Sequence, residues 1–279
     1  VSAEKKEQLN RESINIGWKA MPPLSNLSKT SIHAPYACCP IMLSIYVEYL
    51  SGHHSSNQRI LSMGGQSTAR KHMIEGQIRP NDVTDKRVIA AFEAVPREGF
   101  VSGKLKGVAY IDEDIEVAPG RYMMEPRVLA RLLQAADITA EDSVLDVGSA
   151  TGYAAALMSM LAGSVVALEE DKSLADKAMV LLSGLKCNNI TVACNKLNSG
   201  FKAQAPYDVI LLGGMFEVLP KEIESQLAEN GRLVGVCNSG GVGKACLFVK
   251  TAGVVGRREL FDATLRSLPG FKRETGFQF

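Results

Sequence analysis

The residues best suited to chemistry lie mid-chain, in Val144-Leu-Asp-Val-Gly-Ser-Ala-Thr-Gly-Tyr153. An apolar run carries Asp146 and Val147 at its end, and Gly148 and Gly152 then enclose Ser149 in a turn that opens a helix. Glycines there admit left-handed dihedrals and let backbone approach a ligand closely, with amide N–H groups aimed at an anion. A dinucleotide turn needs a further glycine in the middle to admit pyrophosphate. Ala150 takes that place and Ala155 follows the turn, which leaves more room for an amino-acid carboxylate than for two phosphates. Glu169 closes Val165-Val-Ala-Leu168, twenty-one positions after Gly148. A carboxylate at such a strand tip accepts hydrogen bonds from both hydroxyls of a ribose. Asp146, Val147, Gly148, Ser149, Gly152 and Glu169 are therefore the expected contacts to a cofactor of adenosine type.

Other chemistries lack their parts. No histidine follows His72 and no serine sits in a Gly-x-Ser-x-Gly elbow, so imidazole-driven hydrolysis has no base. Ala150 and the absence of a Tyr-x-x-x-Lys pair weigh against a nicotinamide-dependent oxidoreductase, which stays as a third choice. The six cysteines show no Cys-x-x-Cys spacing, so no metal site is expected and a reducing cytoplasm is. A formal charge of +1, from 31 basic and 30 acidic residues, gives no field to gather nucleic acid or an anionic membrane. The apolar run from Tyr36 to Leu50 is broken by Pro40 and Glu48 and falls short of the roughly 20 residues a membrane span needs. Oligomeric state leaves no trace in the sequence.

The elements that must position these residues follow from periodicity. Residues 1–72 contain all four histidines, no aspartate and loop-forming composition, and read as a poorly ordered extension or, alternatively, a targeting or docking arm. Residues 73–140 read as a helical lobe: Thr84 is placed to cap a helix bearing Val88, Ala91, Phe92 and Val95, and Pro126 opens a second with Val128, Leu129, Leu132 and Leu133. From 141 to 279, strands at Ser143–Val147, Ser164–Leu168, Ile190–Ala193, Val209–Leu212 and Leu233–Cys237 alternate with helices at Tyr153–Leu161, about Leu174–Leu185 and Pro220–Leu227. That alternation implies an α/β fold, a doubly wound, Rossmann-like, mostly parallel sheet. Two last strands, near Ala245–Lys250 and Glu259–Thr264, are expected as an antiparallel hairpin.

Val95-Pro-Arg-Glu-Gly-Phe100, Ala109-Tyr-Ile-Asp112, Glu125-Pro126, the Gly148 to Gly152 turn and Pro206-Tyr-Asp-Val-Ile-Leu211 occur in the order found in protein-L-isoaspartate O-methyltransferases. Met73-Ile-Glu-Gly-Gln-Ile-Arg-Pro-Asn-Asp82 and Leu268-Pro-Gly-Phe271 resemble the shorter bacterial branch of that family, and the resemblance covers roughly Met73 to Phe279. It implies a class I methyltransferase that uses S-adenosyl-L-methionine. Its acceptor would be the carboxylate of isomerised aspartate in damaged proteins or peptides. Such a carboxylate, with a pKa near 4, is already ionised at neutral pH and needs only alignment and exclusion of water.

The resemblance maps the family's cofactor loop onto Asp146, Gly148, Ser149 and Gly152, and its ribose acid onto Glu169. The family's active-site segment reads Thr-Ile-Ser-Gln-Pro, whereas this chain has Tyr122-Met-Met-Glu-Pro126, so a hydroxyl is missing at Met124. Arg121, Tyr122, Met124 and Glu125 are the candidate catalytic residues, with Arg121 or Tyr122 in place to bind the acceptor carboxylate. An exposed turn and a packing residue are the alternatives for those two. After the third strand the family has Gly-Asp against adenine and this chain has Asn195-Lys-Leu-Asn198. A methyltransferase for another acceptor and a catalytically silent cofactor-binding protein both stay open.

Overall fold

A computed structural model describes residues 65–238, 240 and 242–273. The extension read over 1–72 lies outside these residues except for 65–72, which belong to a helix, α1 (65–73). α1 continues into a π-helical turn at Ile74–Ile78 and a 3-10 turn at Arg79–Asn81, ended by Asp82 with φ of 63°. α2 (Lys86–Ala94) buries Val88, Ile89, Ala91 and Phe92. Its cap is Asp85 and not Thr84: the Asp85 carboxylate accepts from the Arg87 amide at 2.8 Å, while the Thr84 amide donates to Gln134 Oε1 at 2.7 Å. A carboxylate both satisfies an orphan amide and complements the helix dipole, so it outcompetes the neighbouring hydroxyl.

A hairpin of β1 (Ile115–Ala118) and β2 (Arg121–Met123) comes next, followed at once by α3 (Pro126–Ala136). The main sheet then begins with β3 (Ser143–Val147), α4 (Tyr153–Ser159), β4 (Ser164–Glu169), α5 (Lys172–Gly184) and β5 (Ile190–Cys194). β6 (Tyr207–Phe216), a short α6 (Lys221–Glu224), β7 (Leu227–Cys237), β8 (Lys244–Thr251) and β9 (Val254–Asp262) complete it. The helix expected over Pro220–Leu227 is only one turn, because Leu227 already pairs with Tyr207 as sheet. The last strand starts earlier than read, at Val254, since a tight turn at Ala252 and Gly253, both with positive φ, closes the hairpin there.

Strand order is β5-β4-β3-β6-β7-β8-β9, with β3 to β7 parallel and β8 and β9 antiparallel. The chain winds outward from β3 through β5 and then resumes at β6 on the other side of β3. Ligands of open α/β sheets bind beyond the carboxyl ends of the strands at this reversal. Alternate residues divide two cores: Val144, Val165, Val209 and Val234 face the lobe with α3 and α4, and Leu145, Val166, Ile210 and Leu233 face α6 and the segment ending at Phe271. No helix among the described residues is long and apolar enough to cross a membrane.

Candidate functional site

The turn after β3 lies at the reversal point. Gly148, Ala150 and Gly152 have φ of 84°, 51° and 91°. The Gly148 and Ser149 amides both donate to the Leu168 carbonyl, at 2.9 and 3.0 Å, and the Ala150 amide donates to Glu169 Oε2 at 2.8 Å. These amides therefore bind the turn to the end of β4, on the Leu168 carbonyl and the chain's own Glu169 carboxylate, and are not free for the anion of a ligand as the sequence reading expects. The turn crosses the tip of β4, where the nearest acceptors satisfy buried donors that would otherwise cost free energy. The atoms left to a ligand belong to side chains: among the described residues, both Asp146 carboxylate oxygens, Ser149 Oγ and Thr151 Oγ1 are buried without a hydrogen-bond partner.

Asp146 is fully buried, and its pKa is pushed up to about 7 by burial first and by the Glu169 charge second, opposed by the Arg121 charge and then by the Ala155 amide, which falls short of a formed hydrogen bond. Val147 is buried in the core beneath it. At Gly148 an added Cβ would stand 2.7 Å from Leu268 Cδ1 and 3.0 Å from Arg121 Nη2, in a backbone conformation that side chains resist. Gly148→Ala is accordingly expected to lower stability by roughly 1–3 kcal/mol, measurable as a reduced denaturation midpoint. β6 passes the same turn through Gly213, whose Cβ would lie 2.7 Å from the Gly148 carbonyl oxygen. That close crossing is the reason for a glycine inside a central strand.

Glu169 is fully buried and pairs with Arg121, through Nε at 3.2 Å and Nη2 at 2.7 Å. The sequence places these two residues in different halves of the site, and the hairpin brings them together. Tyr122 lies on the hairpin's outer side, its hydroxyl 3.3 Å from Glu116 Oε1 and its ring 5.6 Å beneath the Arg266 guanidinium. Met124 is buried in the lobe core, and its carbonyl accepts from Arg97 Nη2 at 2.8 Å.

Glu125, at the start of α3, bonds Arg127 Nη2 at 3.0 Å. Burial, then the Asp112 charge, push its pKa up to about 7, with Arg127 opposing and Asp114 adding to the rise. Asp114 ties the segment down by accepting from the Glu125 amide at 3.0 Å and the Arg266 amide at 2.9 Å. Asp112 holds Arg127 through its amide at 3.3 Å and Nε at 2.9 Å, and so fixes the loop before the hairpin to the start of α3. A cavity of about 500 Å3 opens here, lined by Asp114, Glu125, Met215, Leu265 and Arg266 among others. Arg97, Asp114 and Arg266 received no function from the sequence. Arg97 stands inside the Val95-Pro-Arg-Glu-Gly-Phe100 motif, a signal that was available; the other two are joined by a contact across 152 positions, which no local pattern reveals.

Asn195 and Asn198 follow β5, with the Asn195 amide on the Glu169 carbonyl at 3.1 Å and the Asn198 side chain against Gly270. No group of three or more His, Cys, Asp or Glu disposed to hold a metal occurs among the described residues.

Comparison with known proteins places this geometry. The family described as protein-L-isoaspartate(D-aspartate) O-methyltransferase matches residues 67–260. A protein-L-isoaspartate O-methyltransferase of Koribacter versatilis (strain Ellin345) is 36% identical over 206 residues, covering 74% of this chain and 93% of that one. One from Protochlamydia amoebophila (strain UWE25) is 37% identical over 162 residues, covering 58% and 77%. Among solved structures, a protein-L-isoaspartate O-methyltransferase superposes with a TM-score of 0.65 at 23% identity, covering 72% of this chain and 66% of that one. A Plasmodium falciparum structure described by the same activity, in complex with S-adenosyl-L-homocysteine, gives 0.62 at 20% identity, covering 73% and 97%. The two structures share the fold, and with the family match over most of its length the chain belongs to the protein-L-isoaspartate (D-aspartate) O-methyltransferase family.

Proposed function

We propose that this chain transfers a methyl group from S-adenosyl-L-methionine to the carboxylate of isomerised aspartate in damaged proteins. The observation that carries the reading is the Gly148 to Gly152 turn, in a chain of this family, presenting partnerless Asp146, Ser149 and Thr151 at the sheet reversal. Those residues fit the cofactor. A buried carboxylate lacking a partner favours a cationic ligand, and the cofactor brings an ammonium and a sulfonium. Two unsatisfied hydroxyls supply donors for its methionyl carboxylate. Glu169 stands at the strand tip where a ribose acid belongs, once its ion pair with Arg121 opens. When bound, the cofactor supplies an electrophilic methyl group.

The chain's own residues then need to align an ionised acceptor and exclude water, and no base is required. Arg121, Tyr122, Met124 and Glu125 form the segment between the cofactor turn and the cavity beside Arg266, and this is the acceptor side. Among the described residues Cys187, Cys194, Cys237 and Cys246 form no disulfide, which suits a reducing cytoplasm. An isoaspartyl peptide with labelled cofactor should acquire a base-labile methyl ester, while its normal aspartyl isomer stays unlabelled. Label on neither, with S-adenosylhomocysteine still bound, would overturn the acceptor. Met124, where the family carries a hydroxyl, favours a methyltransferase for another acceptor as the second reading in that event.

A further inference from the structure

We propose that Arg121 couples the two halves of the site: bonded to Glu169 it closes the cofactor cleft, and once displaced by a ribose it turns to the cavity beside Glu125 and holds the acceptor's carboxylate. The proposal rests on the methyltransferase reading above.

The Glu169 carboxylate has no capacity left. Oε1 accepts from Arg121 Nε at 3.2 Å and from the Glu170 and Asp171 amides at 2.9 and 3.2 Å. Oε2 accepts from Arg121 Nη2 at 2.7 Å and the Ala150 amide at 2.8 Å. Two oxygens offer about four lone-pair positions, so a pair of ribose hydroxyls can enter only if donors leave. Three of the donors are backbone amides of the cofactor turn and the end of β4, and their loss would undo the turn itself. The other two belong to one side chain on a short hairpin. Arg121 also stands in the space that Gly148 opens to a ligand, its Nη2 3.0 Å from where a Cβ would be and beside Leu268. The cleft is thus self-filled at the two places a cofactor must use.

A displaced guanidinium cannot shed its charge and seeks another anion. Leu268, which like Arg121 stands beside Gly148, belongs to the segment whose Leu265, Arg266 and Ser267 line the cavity. Of the carboxylates lining that cavity, Asp114 is engaged by the Glu125 and Arg266 amides and Glu125 by Arg127. An acceptor carboxylate entering there meets Glu113, Asp114 and Glu125 as like charges against the Arg266 guanidinium, with hydroxyls at Thr264 and Ser267 but none at Met124. A forked cation arriving from the hairpin offsets both deficits. Cofactor entry then creates the acceptor site, and binding is ordered.

The test is Arg121→Gln, which keeps an amide donor for Glu169 but removes the charge, read first by calorimetry with S-adenosylhomocysteine and then by kinetics on an isoaspartyl peptide. We expect about tenfold tighter S-adenosylhomocysteine binding, because no buried ion pair must open. We also expect an acceptor KM raised about tenfold or more, because the forked contact is lost. If the glutamine variant does not fold, Arg121→Lys decides the matter: its charge remains without the fork, and both quantities should move the same way by about threefold. Unchanged or weaker S-adenosylhomocysteine binding, or an unchanged KM, overturns the proposal. Failure of the wild-type protein to bind S-adenosylhomocysteine at all would instead remove the reading beneath it.

Discussion

At pH 8, Asp146→Asn should melt higher than the wild-type protein and bind S-adenosylhomocysteine at least about thirtyfold more weakly. Asp146 is fully buried, neither of its oxygens has a hydrogen-bond partner among the described residues, and its pKa is raised from 3.8 to about 7. The sign follows from that elevation. Below the unfolded pKa the group is neutral in both states and costs nothing; between about pH 4 and pH 7 the unfolded chain ionises while the folded chain resists; above pH 7 the whole penalty is present. Such a rise corresponds to roughly 4 kcal/mol, against which an unpaired buried amide costs about 1–3 kcal/mol. The net gain, about 2 kcal/mol, should appear as roughly 4–8 °C at pH 8 and vanish at pH 5. Binding should move oppositely: the α-ammonium of S-adenosylhomocysteine favours the ionised form of Asp146, so wild-type affinity rises from pH 6 to pH 8 and the asparagine variant shows no such rise. A variant that melts lower at pH 8, or binds with wild-type affinity, would show that Asp146 is structural only.

Much of this site is legible because its logic is local. The strand, turn and helix around Gly148 depend on residues within one another's reach, and β3, α4 and β4 follow from apolar runs punctuated by glycine. The same holds for α3, opened by Pro126. What escaped depends on contacts distant in sequence. β1 and β2 are too short to show periodicity, yet their hairpin carries Arg121 onto Glu169, 48 positions away. β6 extends past Leu212 through Gly213 and Gly214, residues that read as a break, because its neighbours leave no room for side chains there. The inward direction of the Gly148 and Ser149 amides is likewise invisible in a motif, since it depends on where the Leu168 carbonyl ends. Motifs therefore state which residues serve a ligand, and the tertiary arrangement decides which of their atoms are free to do so.

Arg97→Ala should lower stability by about 3–5 kcal/mol, roughly 8–15 °C in melting temperature, although Arg97 touches neither the cofactor turn nor the acceptor cavity lining. Arg97 is completely buried. Its Nε donates to the Ala109 carbonyl at 2.7 Å, its Nη2 to the Met124 carbonyl at 2.8 Å, and its guanidinium lies 4.9 Å from the centre of the Tyr153 ring. Burial pulls its pKa below the ordinary arginine value, opposed first by Tyr153. One side chain thus joins the acceptor segment at Met124 to the first residue of α4, directly after Gly152. Truncation to alanine opens a cavity and leaves two buried carbonyls without donors. Arg97→Met separates the causes, because it fills most of the volume without a charge to bury. Its melting temperature should fall by about half as much, while acceptor turnover falls as far as in the alanine variant, because nothing then pins the Met124 carbonyl. An alanine variant melting within about 2 °C of wild type, or a methionine variant with unimpaired turnover, would exclude Arg97 as the residue that positions the acceptor segment against the cofactor turn.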